Sequence, residues 1–67
     1  MIKLHQSIEA AQTLAHEAIA NGGTNEDTDN AMPKLNKIKN KHSRNFDKRA
    51  IERAFWHTLS TLKRSDA

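Results

Sequence analysis

The stretch LHQSIEAAQTLAHEAIANGG, residues 4–23, decides the fold class of this chain. Its apolar residues recur at alternating spacings of four and three, which is the period of one face of an α-helix. This spacing predicts a first helix over residues 2–20, whose alanines allow a neighbouring helix to approach closely. Asn21-Gly22-Gly23 ends the helix, because glycine adopts the left-handed C-cap conformation without steric cost. The predicted stripe consists of Leu4, Ile8, Ala11, Ala15 and Ala18, widened by Leu14 and Ile19.

A polar segment follows this helix. Residues 24–30 are rich in Asn, Asp and Thr, a composition that favours a loop over 21–30. Asn30 is a suitable N-cap, and it would place Pro33 in the first turn of the next helix, where the missing N–H costs little. The sequence therefore predicts a second helix over 31–42. Its core-facing side would consist of Ala31, Leu35, Ile38 and His42.

The third predicted helix covers residues 47–64. Asp47 can cap its N-terminus, and Phe46 can pack on Ile51 across that cap as a hydrophobic staple. Apolar residues at helical spacing then predict the face that enters the core. These residues are Ile51, Phe55, Leu59 and Leu62.

Together these elements predict an all-α protein, a small two- or three-helix bundle in one domain over residues 1–67. Ordering 67 residues costs on the order of 100 kcal/mol of conformational entropy. Each of the few large apolar side chains returns only ~1.5–3 kcal/mol on burial, and the chain has no cysteine to form a disulfide. We therefore expect homodimerisation, or docking on a partner, to complete the core.

The charge of the chain is divided by position. Residues 1–31 carry one Lys and five Asp/Glu, a net charge of −4, whereas residues 32–67 carry ten Lys/Arg and three Asp/Glu, a net charge of +7. Clustered positive charge attracts polyanions. The acidic half could also neutralise the basic half within the molecule, with Glu9 and Glu17 pairing with Lys and Arg residues of the other helices.

A basic stripe on the third helix contains the single tryptophan. Arg49, Arg53, Trp56, Ser60 and Lys63 follow one another at spacings of four, three, four and three. Trp56 has three interpretations: stacking on nucleic acid, anchoring a protein interface, or packing in the core with Arg53 over its ring. The second helix adds lysines that suit a phosphate backbone. The candidate binding residues are Lys34, Lys37, Lys41, Arg44, Arg49, Arg53, Trp56 and Lys63.

Two functions fit these features. The first is a non-catalytic helical module that associates with nucleic acid through its basic C-terminal half, in a regulatory or accessory role. The second is a protein-binding adaptor or inhibitor that docks its helices on a larger protein, which could itself handle nucleic acid. A purely structural self-assembling subunit is a third option, and we expect a homo-oligomer in each case.

Other functional classes find little support in the sequence. No Gly-rich phosphate loop, cysteine nucleophile or paired-carboxylate motif is present, so we expect no enzyme activity, no cofactor and no small-molecule substrate. Asn25, Asp27 and Asp29 have the spacing of the first calcium-loop ligands, but the Gly and Glu that complete the loop are missing. His5 and His16 are ~16 Å apart along one helix, too far to share a metal ion. The sequence also predicts no membrane association and a cytoplasmic location.

Overall fold

A computed structural model describes residues 3–65 of the chain, and side chains for 3–64. It contains three helices: α1 (Leu4–Ala20), α2 (Asn25–Lys39) and α3 (Asn45–Ser65). The described residues form no strand, which confirms the all-α prediction. None of these helices is both long enough and apolar enough to cross a bilayer.

The end of α1 is a Schellman motif. Gly22 donates its N–H to the Ile19 carbonyl over 3.0 Å, and Gly23 donates to the Ala18 carbonyl over 2.9 Å. Both glycines have positive φ, 131° at Gly22 and 70° at Gly23. The predicted glycine stop is therefore confirmed, and the chain reverses within four residues to begin α2.

The start of α2 differs from the sequence prediction. The expected loop over 24–30 is wrong, because the helix begins at Asn25 behind the N-cap Thr24. The Thr24 side chain accepts the Asp27 N–H over 3.2 Å, and the Asp27 carboxylate accepts the Thr24 N–H over 3.1 Å. This reciprocal capping box satisfies two donors that a helix start otherwise leaves without intrahelical partners.

Two further predictions for α2 fail with that boundary. Asn30 is not the N-cap, and Pro33 lies in the helix interior rather than in the first turn. Proline removes one intrahelical hydrogen bond there, and its exposed side chain shows that it sits on the solvent side of the helix. The helix ends at Lys39, so Lys41 and His42 belong to the turn that leads to α3.

The third helix starts two residues before the predicted Asp47. Asp47 therefore lies in the first turn of α3, where its charge favours the positive end of the helix dipole, and is not the N-cap. The expected staple between Phe46 and Ile51 is not formed, because Phe46 is 75% exposed whereas Ile51 is fully buried. The aromatic ring of Phe46 is left at the surface.

The core lies where the three predicted apolar faces meet. Its largest fully buried side chains are Phe55 and Ile51 from α3 and Leu35 from α2. Three alanines of α1, Ala11, Ala15 and Ala18, are buried against them, as the close-approach argument predicts. Ile38 and Leu62, at the margins of their predicted faces, are half-buried. The remaining core residues are Leu14, Ala31 and Leu59.

Candidate functional site

The predicted basic residues are all at the surface. Lys34, Lys37, Lys41, Arg44, Arg49, Arg53 and Lys63 are each exposed. Among the residues whose side chains are described, Lys39 and Glu52 form an ion pair at 3.3 Å, and His42 Nδ1 lies 3.9 Å from Asp47 Oδ2. Both pairs lie within the basic half of the chain. Within residues 3–64, α1 thus forms no direct ion pair with the predicted binding residues.

Two lysines, one within α2 and one just after it, lie beside α1. Lys34 lines a shallow depression between α1 and α2 together with Glu17 and Asp27. Lys41 lines a second depression, which also includes Gln6 of α1. We call Lys34, Lys37 and Lys41 the α2 lysine row, of which Lys41 lies in the turn just after the helix. Because two carboxylates lie beside Lys34, part of this row has its positive potential reduced by neighbouring acids.

A second basic surface covers the solvent side of α3. Arg49, Arg53, Trp56 and Ser60 of the predicted stripe lie together there, while Lys63 is exposed but not part of this surface. All the residues that line it come from α3, so it is the outer side of one helix rather than a cavity between elements. We call it the α3 outer face. Its other members are Phe46, Ala50, Glu52, His57, Thr61 and Arg64.

The two basic surfaces are separated by the contact between α2 and α3. There, Lys39 and Glu52 form their ion pair within a groove that also includes Lys48 and Arg49. Glu52 is the one acid among the residues lining the α3 outer face, and its carboxylate is already engaged by Lys39. The α3 outer face therefore has the less compensated positive charge of the two surfaces.

Trp56 projects from this face with one edge held by the core. Its ring makes an edge-to-face contact with Phe55, with centroids 5.2 Å apart and planes at 80°. The indole is 43% exposed while Phe55 is fully buried. The interpretation of Trp56 as a core residue is thus wrong. The indole is anchored in orientation but still offers a large apolar surface to a ligand.

Phe46 lies on this face, although the sequence predicts it only as a staple residue before the helix. It is already part of α3. Counting back three residues from Arg49 continues the alternating spacing of the stripe and reaches Phe46. Extension of the period beyond the expected helix start was therefore the signal that could have placed it beside Arg49 and Trp56.

A buried polar cluster joins the three helix ends at one end of the bundle. Ser7 Oγ lies 2.7 Å from His42 Nε2, and His42 Nδ1 lies 3.9 Å from Asp47 Oδ2. Ser7 is 2% exposed and the His42 side chain 8% exposed. This proximity has no signal in the sequence, since Ser7 and His42 are 35 residues apart. No buried side-chain N or O among the described residues lacks a hydrogen-bond partner.

Ser7, His42 and Asp47 are the residue types of a hydrolase triad, and they follow one another in space in the same order. The His42–Asp47 separation exceeds hydrogen-bond length, so the carboxylate does not hold the ring as a triad requires. The Ser7 N–H is bonded to the Lys3 carbonyl and is not free to stabilise an oxyanion. The arrangement instead ties the start of α1 to the turn that precedes α3.

The described residues include no group of three or more His, Asp or Glu side chains placed to hold a metal ion. Asn25, Asp27 and Asp29, which share the spacing of calcium ligands, lie in the first turns of α2. The Asp27 carboxylate is occupied by both the N–H and the hydroxyl of Thr24. These residues therefore begin a helix and do not form a calcium loop.

Comparisons with protein families, with curated proteins and with solved structures find no match for this chain. The functional assignment accordingly depends on the surfaces described above.

Proposed function

We propose that this chain is a non-catalytic helical module that associates with nucleic acid through its basic C-terminal half. The observation that carries the proposal is that the seven predicted Lys/Arg residues are exposed and, within the described chain, form no ion pair with α1. A phosphate backbone is the common biological polyanion that such dispersed positive charge matches.

The mechanism of association follows from counterion release. Each phosphate that a Lys or Arg neutralises frees condensed cations, so the logarithm of the binding constant falls with the logarithm of salt concentration by ~0.9 per contact on a duplex. Contacts of this kind position the protein on the backbone without reading sequence. An accessory or regulatory role suits such binding, because it requires only that the module cover or mark the nucleic acid.

A protein-binding adaptor or inhibitor is the second candidate. The observation that favours it is the presence of two exposed large hydrophobic residues, Phe46 and Trp56, on the α3 outer face. Aromatic residues surrounded by arginine are enriched among the hot spots of protein interfaces. An adaptor would use these rings as its anchors, with the arginines meeting acidic groups of the partner. Self-association remains a prediction that the mass of the protein in solution would test.

A titration against labelled duplex and single-stranded oligonucleotides at two salt concentrations tests the proposal. We expect micromolar or tighter binding at low salt that weakens steeply at high salt. The Lys3→Gln variant is a matched control, since Lys3 is exposed but lies outside the basic half. The absence of binding to either oligonucleotide at low salt would overturn the proposal and leave the protein-binding candidate.

A further inference from the structure

We infer that the α3 outer face is a stacking platform for unpaired bases, so that single-stranded nucleic acid is the preferred ligand. This inference rests on the proposed function and adds to it the form of the nucleic acid and the residues that recognise it. Proteins that bind single strands without sequence preference combine a basic track for the backbone with aromatic rings for the bases. The α3 outer face has both components.

The positions of its side chains along the helix fit this role. Phe46 and Trp56 are ten residues apart, which places them ~15 Å apart along the axis. Arg49 and Arg53 lie between them on the same surface, at roughly 4.5 and 10.5 Å from Phe46 along the axis. A single strand that keeps the duplex rise of ~3.4 Å per nucleotide would pass about four nucleotides over this distance, and a more extended strand would pass fewer. The two rings can thus each meet a base while the arginines meet the phosphates between them.

The exposure of the rings indicates unpaired rather than paired bases. Phe46 is 75% exposed and Trp56 is 43% exposed, so both offer faces or edges that no part of the described chain covers. Inside a duplex the base faces are stacked on one another, and an aromatic side chain reaches them only by forcing two base pairs apart. A single strand presents the same faces without that cost. The platform therefore gains stacking energy from a single strand that it would lose to unstacking in a duplex.

The charge of the face selects a polyanion as the occupant. Arg49, Arg53 and Arg64 line it, and the lone acid in its described lining, Glu52, is bonded to Lys39. A largely apolar partner helix would leave these guanidinium groups without counter-charges at the interface. Nucleic acid supplies an anion at every nucleotide together with an aromatic base, so it satisfies both features of the face.

Fluorescence of Trp56 provides the test, because the chain has one tryptophan and no tyrosine. Three probes of equal length are titrated: oligo-dT, the same sugar–phosphate backbone without bases, and a duplex. We expect oligo-dT to bind at least about 30-fold more tightly than the abasic strand, because ~1–3 kcal/mol of stacking is lost for each of the two bases, and to quench the indole. We expect the abasic strand to bind with unchanged emission, and the duplex to bind more weakly than oligo-dT.

Each other outcome has a distinct meaning. Equal affinity for oligo-dT and the abasic strand with unchanged emission would overturn the stacking platform while leaving the proposed function in place. Tighter binding of the duplex, with quenching, would also overturn it and make the rings wedges between base pairs. Failure of all three probes to bind would overturn the proposed function itself.

Variants of Phe46 provide a second measurement that does not depend on the folding of a Trp56 variant. Phe46→Ala removes the ring of a residue that is 75% exposed, so we expect the fold to be retained. We expect it to weaken binding of oligo-dT about 5- to 150-fold and to leave the abasic strand unaffected, with Phe46→Tyr restoring binding. Unchanged affinity of Phe46→Ala for oligo-dT would contradict the inference and assign this ring to another partner, such as a protein.

Discussion

The Ser7 hydroxyl lies 2.7 Å from His42 Nε2, and this contact links the first turns of α1 to the turn between α2 and α3. Both side chains are buried. A buried polar atom that loses its partner costs more than the hydrogen bond itself contributes, because water cannot replace the partner. The contact therefore fixes how α1 meets the other two helices more strongly than an exposed hydrogen bond would.

Removal of the Ser7 hydroxyl should destabilise the fold. We expect Ser7→Ala to lower the free energy of unfolding by about 1–3 kcal/mol, because His42 Nε2 is left without a partner. Thr13→Ala is the matched control: it removes an exposed hydroxyl bonded to the Glu9 carbonyl and should change stability by less than ~0.5 kcal/mol. Urea denaturation followed by circular dichroism measures both. Equal effects of the two substitutions would contradict a structural role for the Ser7–His42 contact.

Substitutions at the two competing N-cap residues, Thr24 and Asn30, test where α2 begins. Thr24→Ala should cost ~1 kcal/mol of stability, because it removes the side chain that accepts the Asp27 N–H. Asn30→Ala should be neutral or slightly stabilising, since Asn30 is an exposed residue inside the helix, where alanine has the higher propensity. If Asn30→Ala destabilised the protein more than Thr24→Ala in urea denaturation, the result would contradict a helix start at Asn25 and favour the predicted loop over 24–30.

The neighbouring aromatics of α3 should respond very differently to truncation. Phe55→Ala removes a fully buried ring and is expected to cost about 3–5 kcal/mol, enough to unfold a domain this small at 25 °C. Trp56→Ala should leave the protein folded, because nearly half of the indole already faces solvent. Far-ultraviolet circular dichroism of the two variants distinguishes them. Loss of helicity in Trp56→Ala would contradict this expectation and indicate that Trp56 is a core residue.

Only some parts of the fold could be predicted from the sequence. The apolar faces around Ala11, Leu35 and Phe55 were correct because helical periodicity depends on burial alone. The predicted start of α2 is wrong because the residues of its first turn are turn formers as well as helix caps, and composition does not separate the two. The capping pair Thr24–Asp27 carried the information, but with Asp in the place where Glu is usual.

The candidate site was only partly accessible to the same reasoning. Spacing on a single helix was enough to group Arg49, Arg53 and Trp56. It could not show that Lys34 and Lys41 lie beside α1, because that depends on how two helices pack. The Ser7–His42 contact was equally out of reach, since it joins residues distant in sequence whose proximity arises from the tertiary fold.

We propose that the exposed Lys and Arg side chains of the C-terminal half bind phosphates. The most direct test is the salt dependence of oligonucleotide affinity for the double variant Arg49→Gln/Arg53→Gln, compared with wild type and with Lys3→Gln. We predict that the double variant binds more weakly and that its salt slope is smaller by about one unit per lost contact, while Lys3→Gln matches wild type. An unchanged slope in the double variant, with its fold intact, would contradict the account.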